Sequence, residues 1–346
     1  MNGSKPIPIV FPDNGITVVV TAFNASRYIS RCIDSIINQR DEFCEIVVIN
    51  DGSSDQTKEV LAKYGDRIKY REFYENQGPA VGRTLGLNET KTEFVAFIDA
   101  DDYWEYDFAH KMKSFLLNNR TAVAVSCGYK KNDYNGKQYL RPKLSQSDLK
   151  YYEGGNLCPN FYEFWATYCS ILTGTVLMRT EIARKTGGQR KDLRLTEDLE
   201  FWGYLATFGD WAFLPDYLFV TDEQILKPKE RLKKFKHRFS FFKDMDIVSW
   251  SQRIMPRLED SRSIVAFNSF LKNIITTIAF AKAYLLDIKD SYLFSLSNRD
   301  GLLTSGWGKG LRFGLKLGPL FWPLICFGLK TREIIKAFLF PLKRII

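Results

Sequence analysis

The chain has 346 residues, 45% hydrophobic and 26% charged, a globular composition long enough for one large domain or two of ordinary size. Two histidines, and six cysteines with no CxxC pair, argue against a multi-histidine metal site, a zinc frame or a His-based triad; they suit reduced, mostly buried thiols in a cytosolic compartment. The net charge of +9 is concentrated late: residues 227–243 and 306–346 each carry eight Lys/Arg against a single Glu, which leaves the rest mildly acidic.

Residues 1–15 read as an irregular lead-in with no apolar secretion signal. Ile16–Thr21 is a first buried strand, ending in Ala22-Phe23-Asn24. Ser26 is placed as the N-cap of a helix running to about Gln39, because Ile29, Cys32, Ile33, Ile36 and Ile37 repeat at helical spacing. A second strand, Ile46–Asn50, runs into Asp51-Gly52-Ser53-Ser54-Asp55. A helix at about 55–64, a strand at about 68–73 and a helix from about Pro79 to Asn88 follow. The fourth strand, 94–99, is apolar throughout until it meets Asp99-Ala100-Asp101-Asp102. Beyond it come a helix at about 107–119 and a strand at 122–125. Residues 129–170 have weak periodicity and no clear assignment. A strand at about 173–179, a short helix, a helix from Leu195 to about Gly209 and short strands at 211–214 and 217–221 complete this part. Alternation of strand and helix predicts a parallel, three-layer α/β sheet.

A strand that is apolar on both faces sits inside a parallel sheet, and ligands bind beyond the carboxyl ends of such strands. Asp99, Asp101 and Asp102 are therefore delivered to a ligand site, where a hard divalent cation would relieve their repulsion. The alternative is an acidic loop with a helix cap. The ends at Thr21–Asn24, Asp51–Asp55 and Asp99–Asp102 make the site composite. No GxxxxGK[ST] loop is present, and glycines 78, 82 and 86 miss the dinucleotide fingerprint, a spacing that suits helix packing.

The segments ITVVVTAFNASRYISRCIDSIINQ, EIVVINDGSSDQT, NQGPAVGRTLGLN, FVAFIDADD and TGG…TEDLEFW, in this order over residues 16–222, resemble the family 2 glycosyltransferases. The resemblance implies a GT-A fold (Rossmann-like, three-layer α/β/α, mostly parallel sheet), here with a C-terminal helical, amphipathic extension. It implies inverting, metal-dependent transfer of a hexosyl or N-acetylhexosaminyl group from a nucleotide-sugar, most often a UDP-sugar, as in surface polysaccharide synthesis. Thr21 and Ala22 match the segment along base and ribose, and Asp51 the carboxylate that accepts from the base. Gly78 matches a close approach to the nucleotide, and Arg83 a diphosphate contact. Asp99 and Ala100 match the ribose side, Asp101 the ligand of Mn²⁺ or Mg²⁺, and Asp198 the catalytic base. Asp102 is expected to cap or orient, and Glu197 to assist or to serve only as a first-turn acid. The chain departs from the family in reading Gly82-Arg83-Thr84 where relatives read Ala-Arg-Asn. It also has Asp222 where relatives place a histidine, so Asp222 is a candidate substitute metal ligand, with a more open metal site as the alternative. Trp165 and Tyr168 are candidate sugar-stacking platforms, with core packing as the alternative.

The expected boundaries are a GT-A domain over 1–225 (donor half about 16–102, acceptor half about 103–225) and a helical basic region over 226–346. Its tail, about 306–346, interleaves Lys and Arg with aromatics around a 13-residue uncharged run at 317–329, too short to span a bilayer. The expected partners are a nucleotide-sugar, a saccharide or lipid-linked acceptor and an anionic membrane surface, with no nucleic acid; the location is peripheral, at the cytoplasmic face. Rival readings are a sugar nucleotidyltransferase, against which TAFNASRY lacks a Gly-rich basic loop, and a non-catalytic surface binder on a degenerate fold.

Overall fold

The computed structural model describes residues 15–40, 44–133, 135–193, 196–222, 240, 247–303 and 306–339, with backbone alone at 247, 306 and 331–339. The lead-in up to residue 14, the basic block 227–243 apart from Ser240, and the last seven residues of the tail lie outside the described residues.

The first four apolar runs form the parallel half of one sheet. Strands β1 (Ile16–Ala22), β2 (Cys44–Asp51), β3 (Lys69–Phe73) and β4 (Phe94–Asp99) lie in the order β3-β2-β1-β4. Val18, Val19, Val20, Phe97 and Ile98 are buried, as a strand covered on both faces requires. Helices α1 (Ile29–Ile37), α2 (Thr57–Ala62) and α3 (Pro79–Glu89) make the crossovers. Ser26 does not cap α1. The residue before that helix is Tyr28, and Ser26 donates its hydroxyl to Asp55 at 2.7 Å. Asp55 thereby ties the first two loops together and delays α2 to Thr57. Gly82 and Gly86 are packing glycines: a Cβ at Gly86 would lie 2.3 Å from Val19 Cγ1, so their spacing seats α3 on β1.

The second half comprises β5 (Tyr103–Trp104), α4 (Phe108–Asn118), β6 (Ala122–Asn132), β7 (Gln138–Arg141), α5 (Gln146–Tyr151), β8 (Asn156–Leu157), α6 (Phe161–Tyr168), β9 (Val176–Arg179), α7 (Thr180–Lys185), α8 (Glu197–Leu205) and β10 (Asp210–Asp222). Strand β9 runs antiparallel between β4 and β6, so this half is mixed rather than mostly parallel. Residues 173–175 form a 3-10 turn that shortens the predicted strand at 173–179. The two strands read at 211–214 and 217–221 are one strand, irregular where Pro215 removes a donor.

Helices α9 (Ile247–Ile254), α10 (Ser261–Tyr284), α11 (Ile288–Ser297), α12 (Gly306–Leu317) and α13 (Trp322–Leu339) follow. They share a core with the sheet: Trp165 of α6 stacks on Phe270 of α10 at 3.6 Å, and Tyr162 meets Phe267 edge-on. Among the described residues α10 alone is long and apolar enough to cross a membrane, and more than half of its apolar stretch is buried within the protein. The tail divides by face. Trp307 stacks on Phe280 at 4.0 Å, Leu311 and Cys326 are buried, and the buried Trp322 indole donates to Ser291. Phe313, Leu317, Leu320, Phe321, Leu324 and Phe327 are exposed.

Candidate active site

At the carboxyl ends of β1, β2 and β4 a cleft of about 550 Å³ is lined by Thr21, Ala22, Asp51, Arg83, Asp99, Ala100 and Asp101 on one side, and by Thr173, Thr196, Glu197 and Asp198 on the other. A larger groove of about 990 Å³, between α4 and the 149–155 segment, contains none of these residues. The charged cleft is the candidate site.

Asp51 is fixed almost entirely by its own surroundings. Its carboxylate accepts from the backbone N–H groups of Gln77 (2.7 Å) and Gly78 (2.9 Å) and from the Asn76 amide (3.0 Å). Three of about four lone-pair sites are filled, which leaves one for a ligand. Gly78, at φ +89, is not itself in the cleft lining and reaches it only through this bond to Asp51. Gly52, also in the left-handed region, lets the Asp51 turn press on this segment: a Cβ there would lie 2.7 Å from the Glu75 carbonyl carbon. Asp99 Oδ1 accepts from the Thr21 hydroxyl at 3.1 Å, and the Ala100 N–H bonds the Thr21 carbonyl, so the first and fourth strand ends are tied.

Asp101 stands one step further out in the cleft wall. Among the described residues no group of three or more His, Cys, Asp and Glu is poised for a metal. Mg²⁺ or Mn²⁺ held with a nucleotide takes one or two protein carboxylates and completes its shell with phosphate and water, so a lone Asp101 beside Asp99 fits such an ion. Burial, with the Asp101 carboxylate second, pushes the Tyr28 phenol up. Arg31, which sequence reasoning passed over, donates to the Asp101 carbonyl at 3.1 Å and pairs with Asp222 at 2.8 Å. The Asp222 carboxylate expected as a substitute metal ligand is thus engaged by a cation. Asp102 is not part of the cleft lining.

On the opposite wall α8 begins at Glu197, after Thr196 in the left-handed region at φ +69. A β-branched residue there is strained, and such strain gathers where a side chain must be aimed. Asp198 accepts from its neighbour's backbone N–H at 2.8 Å and from the Thr173 hydroxyl at 3.3 Å. Thr173 has no motif of its own and was not foreseen. Glu197 is buried and pairs with Arg83 at 3.0 Å. Burial, then repulsion from Asp198, pushes its carboxyl up to about 7 against the pull of Arg83. Arg83 is 3% exposed, and its terminal nitrogens hold Asp99 at 2.6 Å, Glu197 and the Gln189 side chain. Burial alone would lower its pKa, but Asp99, Glu197 and Asp198 push it further up. Trp165 is fully buried against Phe270, and the Tyr168 hydroxyl bonds Asp148. Neither lines the cleft: Trp165 is a core residue rather than a sugar platform, and Tyr168 is half-buried and tied to Asp148.

The fold places the chain among the GT-A proteins. It superposes on S. aureus TarS 1-349 in complex with UDP at TM-score 0.53, with 18% identity over 88% of this chain and 92% of that one. It also superposes on mannosyltransferase PcManGT of Pyrobaculum calidifontis, in complex with GDP-Man and Mn²⁺, at TM-score 0.51, with 18% identity over 96% and 90%. Residues 17–175 match the sequence model of "Glycosyl transferase family 2". Glycosyltransferase GlyA of Streptococcus pneumoniae is 28% identical over 254 residues, 72% of this chain and 34% of that protein. The teichoic acid poly(glycerol phosphate) polymerase of Staphylococcus epidermidis is 28% identical over 213 residues, 59% and 26%. The match thus spans about a third or less of these two relatives. Residues 17–175, just under half of the chain, thus match a family 2 glycosyltransferase domain.

Proposed function

We propose that the protein is an inverting glycosyltransferase that moves a hexosyl or N-acetylhexosaminyl group from a nucleotide-diphosphosugar, UDP-linked in the first instance, to a hydroxyl of a saccharide or lipid-linked saccharide. One observation carries the reading: Asp51, Asp99, Asp101 and Asp198, from three separate segments, converge on one cleft. Asp51 accepts from the base. Thr21, Ala22, Gly78, Asp99 and Ala100 bound the nucleoside and sugar. Asp101 would hold Mn²⁺ or Mg²⁺, which supplies charge neutralisation for the departing diphosphate. Asp198, aimed by Thr173, takes the proton of the acceptor hydroxyl as its oxygen bonds the anomeric carbon. The sugar–phosphate bond breaks on the opposite side, so the anomeric configuration inverts.

Calorimetry of UDP, GDP and dTDP with and without Mn²⁺, on the intact protein and on Asp101→Ala, tests this reading. Metal-dependent UDP binding that is lost in the variant supports it. Tight binding of GDP or dTDP instead replaces the donor, and a folded protein that binds no nucleotide overturns it.

The acceptor is proposed to belong to a cell-surface glycan, a reading supported by one relative's name as a teichoic acid polymerase and by the words teichuronic acid biosynthesis in another's, and the enzyme to work at the cytoplasmic membrane face. The exposed apolar residues at 313–327 lie among Lys309, Arg312, Lys316 and Lys330, a pairing that suits an anionic bilayer surface. Co-sedimentation with phosphatidylglycerol vesicles, reduced at least several-fold in Leu320→Glu/Phe321→Glu, is the expected result. Equal sedimentation of the variant would remove this contact.

A further inference from the structure

The buried cluster around Arg83 goes beyond a diphosphate contact. Its guanidinium sits across the floor of the cleft: one terminal nitrogen holds Asp99 on the donor wall, and the other holds Glu197, the residue before the proposed base. That second nitrogen also donates to Gln189 Oε1 at 3.1 Å. Gln189 is 4% exposed, and Thr84, next to Arg83 on α3, fixes its backbone in both directions: the Gln189 N–H donates to the Thr84 hydroxyl, which donates to the Gln189 carbonyl. Gly188 lies so close that a Cβ would meet Thr84 at 2.7 Å. Helix α3 is itself seated on the sheet through Gly82 and Gly86. Gln189 is therefore pinned to α3, and α3 to the sheet.

We propose that Arg83, backed by Gln189, is a positioning strut that sets the spacing between the donor-side carboxylate Asp99 and the helix start bearing Asp198, rather than a ligand of the diphosphate. A planar fork with fixed donor directions can tie two carboxylates at set separation, which the single point charge of lysine cannot. Gripping a diphosphate would require Arg83 to release Asp99 and leave Glu197 buried without its cation, a costly exchange. Arg83 Nε and Gln189 Nε2 are buried with no hydrogen-bond partner among the described residues.

The inference rests on the transferase reading and is tested in the full chain with Arg83→Gln, Glu197→Gln, the double variant and Gln189→Leu. Turnover, donor KM and UDP binding are measured for each. A strut predicts that Arg83→Gln lowers kcat by about 30-fold or more while donor KM and UDP affinity stay within about threefold. The double variant should then be no worse than Arg83→Gln, because both cut the same link. Gln189→Leu, which keeps both ion pairs, should lower kcat by about three- to tenfold with the same KM. It keeps the proposal testable if Arg83→Gln does not fold. A tenfold or greater loss of UDP affinity in Arg83→Gln, multiplicative effects in the double variant, or an unchanged kcat in Gln189→Leu would overturn the strut. A wild type that binds no nucleotide sinks the transferase reading itself, and the strut with it.

Discussion

The two walls of the cleft are held by different means. On the donor wall the Asp51 carboxylate is fixed mainly by backbone, through two successive N–H groups, and the strand end at Ala100 is tied to the Thr21 carbonyl, while the Asp99 carboxylate is held by the Thr21 hydroxyl and Arg83. On the acceptor wall Glu197 and Asp198 follow a strained Thr196 and are aimed by the side chains of Arg83 and Thr173. Backbone ladders persist through most substitutions, whereas a side-chain link is lost with one residue. The Asp51 turn should therefore tolerate neighbouring change, and the acceptor wall should fail sharply.

The largest expected effect lies on the acceptor wall. Asp198→Asn should lower kcat by about 10²- to 10⁴-fold, the usual worth of a positioned base, with UDP affinity unchanged by calorimetry. Equal loss of affinity would erase the division of labour between the walls. Next, Asp101→Ala should weaken metal-dependent UDP binding by about tenfold or more, about 1.4 kcal/mol, and leave metal-free binding as it was. A smaller effect tests the seat that α3 shares with both walls. Gly86→Val places new atoms against Val19 and should cost about 1–3 kcal/mol, read as a lower melting temperature. An unchanged melt would mean that α3 is free to shift.

The smallest effect concerns pH. The folded protein holds the Glu197 carboxyl at about 7, above its ordinary 4.5, so the protonated form is the one that folding favours. The stability this contributes is present in full below pH 4.5 and is lost as pH rises through about 7. Wild type should therefore lose melting temperature relative to Glu197→Gln between about pH 5 and pH 8. Parallel melting curves for the two proteins would show that the acceptor wall does not carry this proton.

How much could be read beforehand follows the same division. Strand ends announce themselves: an apolar run that stops at Asp51 or Asp99 is local information, and β4 begins and ends where the pattern says. The first cap was misread because the partner of Ser26 is Asp55, twenty-nine residues on. Arg83 was assigned by resemblance alone, since Gln189 and Glu197 lie 106 and 114 residues away in sequence. Residues 129–170 carry elements of two to eight residues beyond β6, too short for a hydrophobic period to emerge. The aromatic density around Trp165 signals burial as readily as sugar binding, and burial is what it serves.

The close approach at Gly52 bears on how fast a ligand is caught. Because the turn after β2 already rests against the backbone of residues 75 and 76, and Asp51 already holds residues 77 and 78, this part of the proposed nucleoside cradle has little freedom left to lose. Association there involves no ordering of loose chain, so its entropic cost falls on the ligand rather than on the protein. The donor's arrival should accordingly follow single-step kinetics limited by encounter, and any slower closing phase would have to arise on the other side of the cleft.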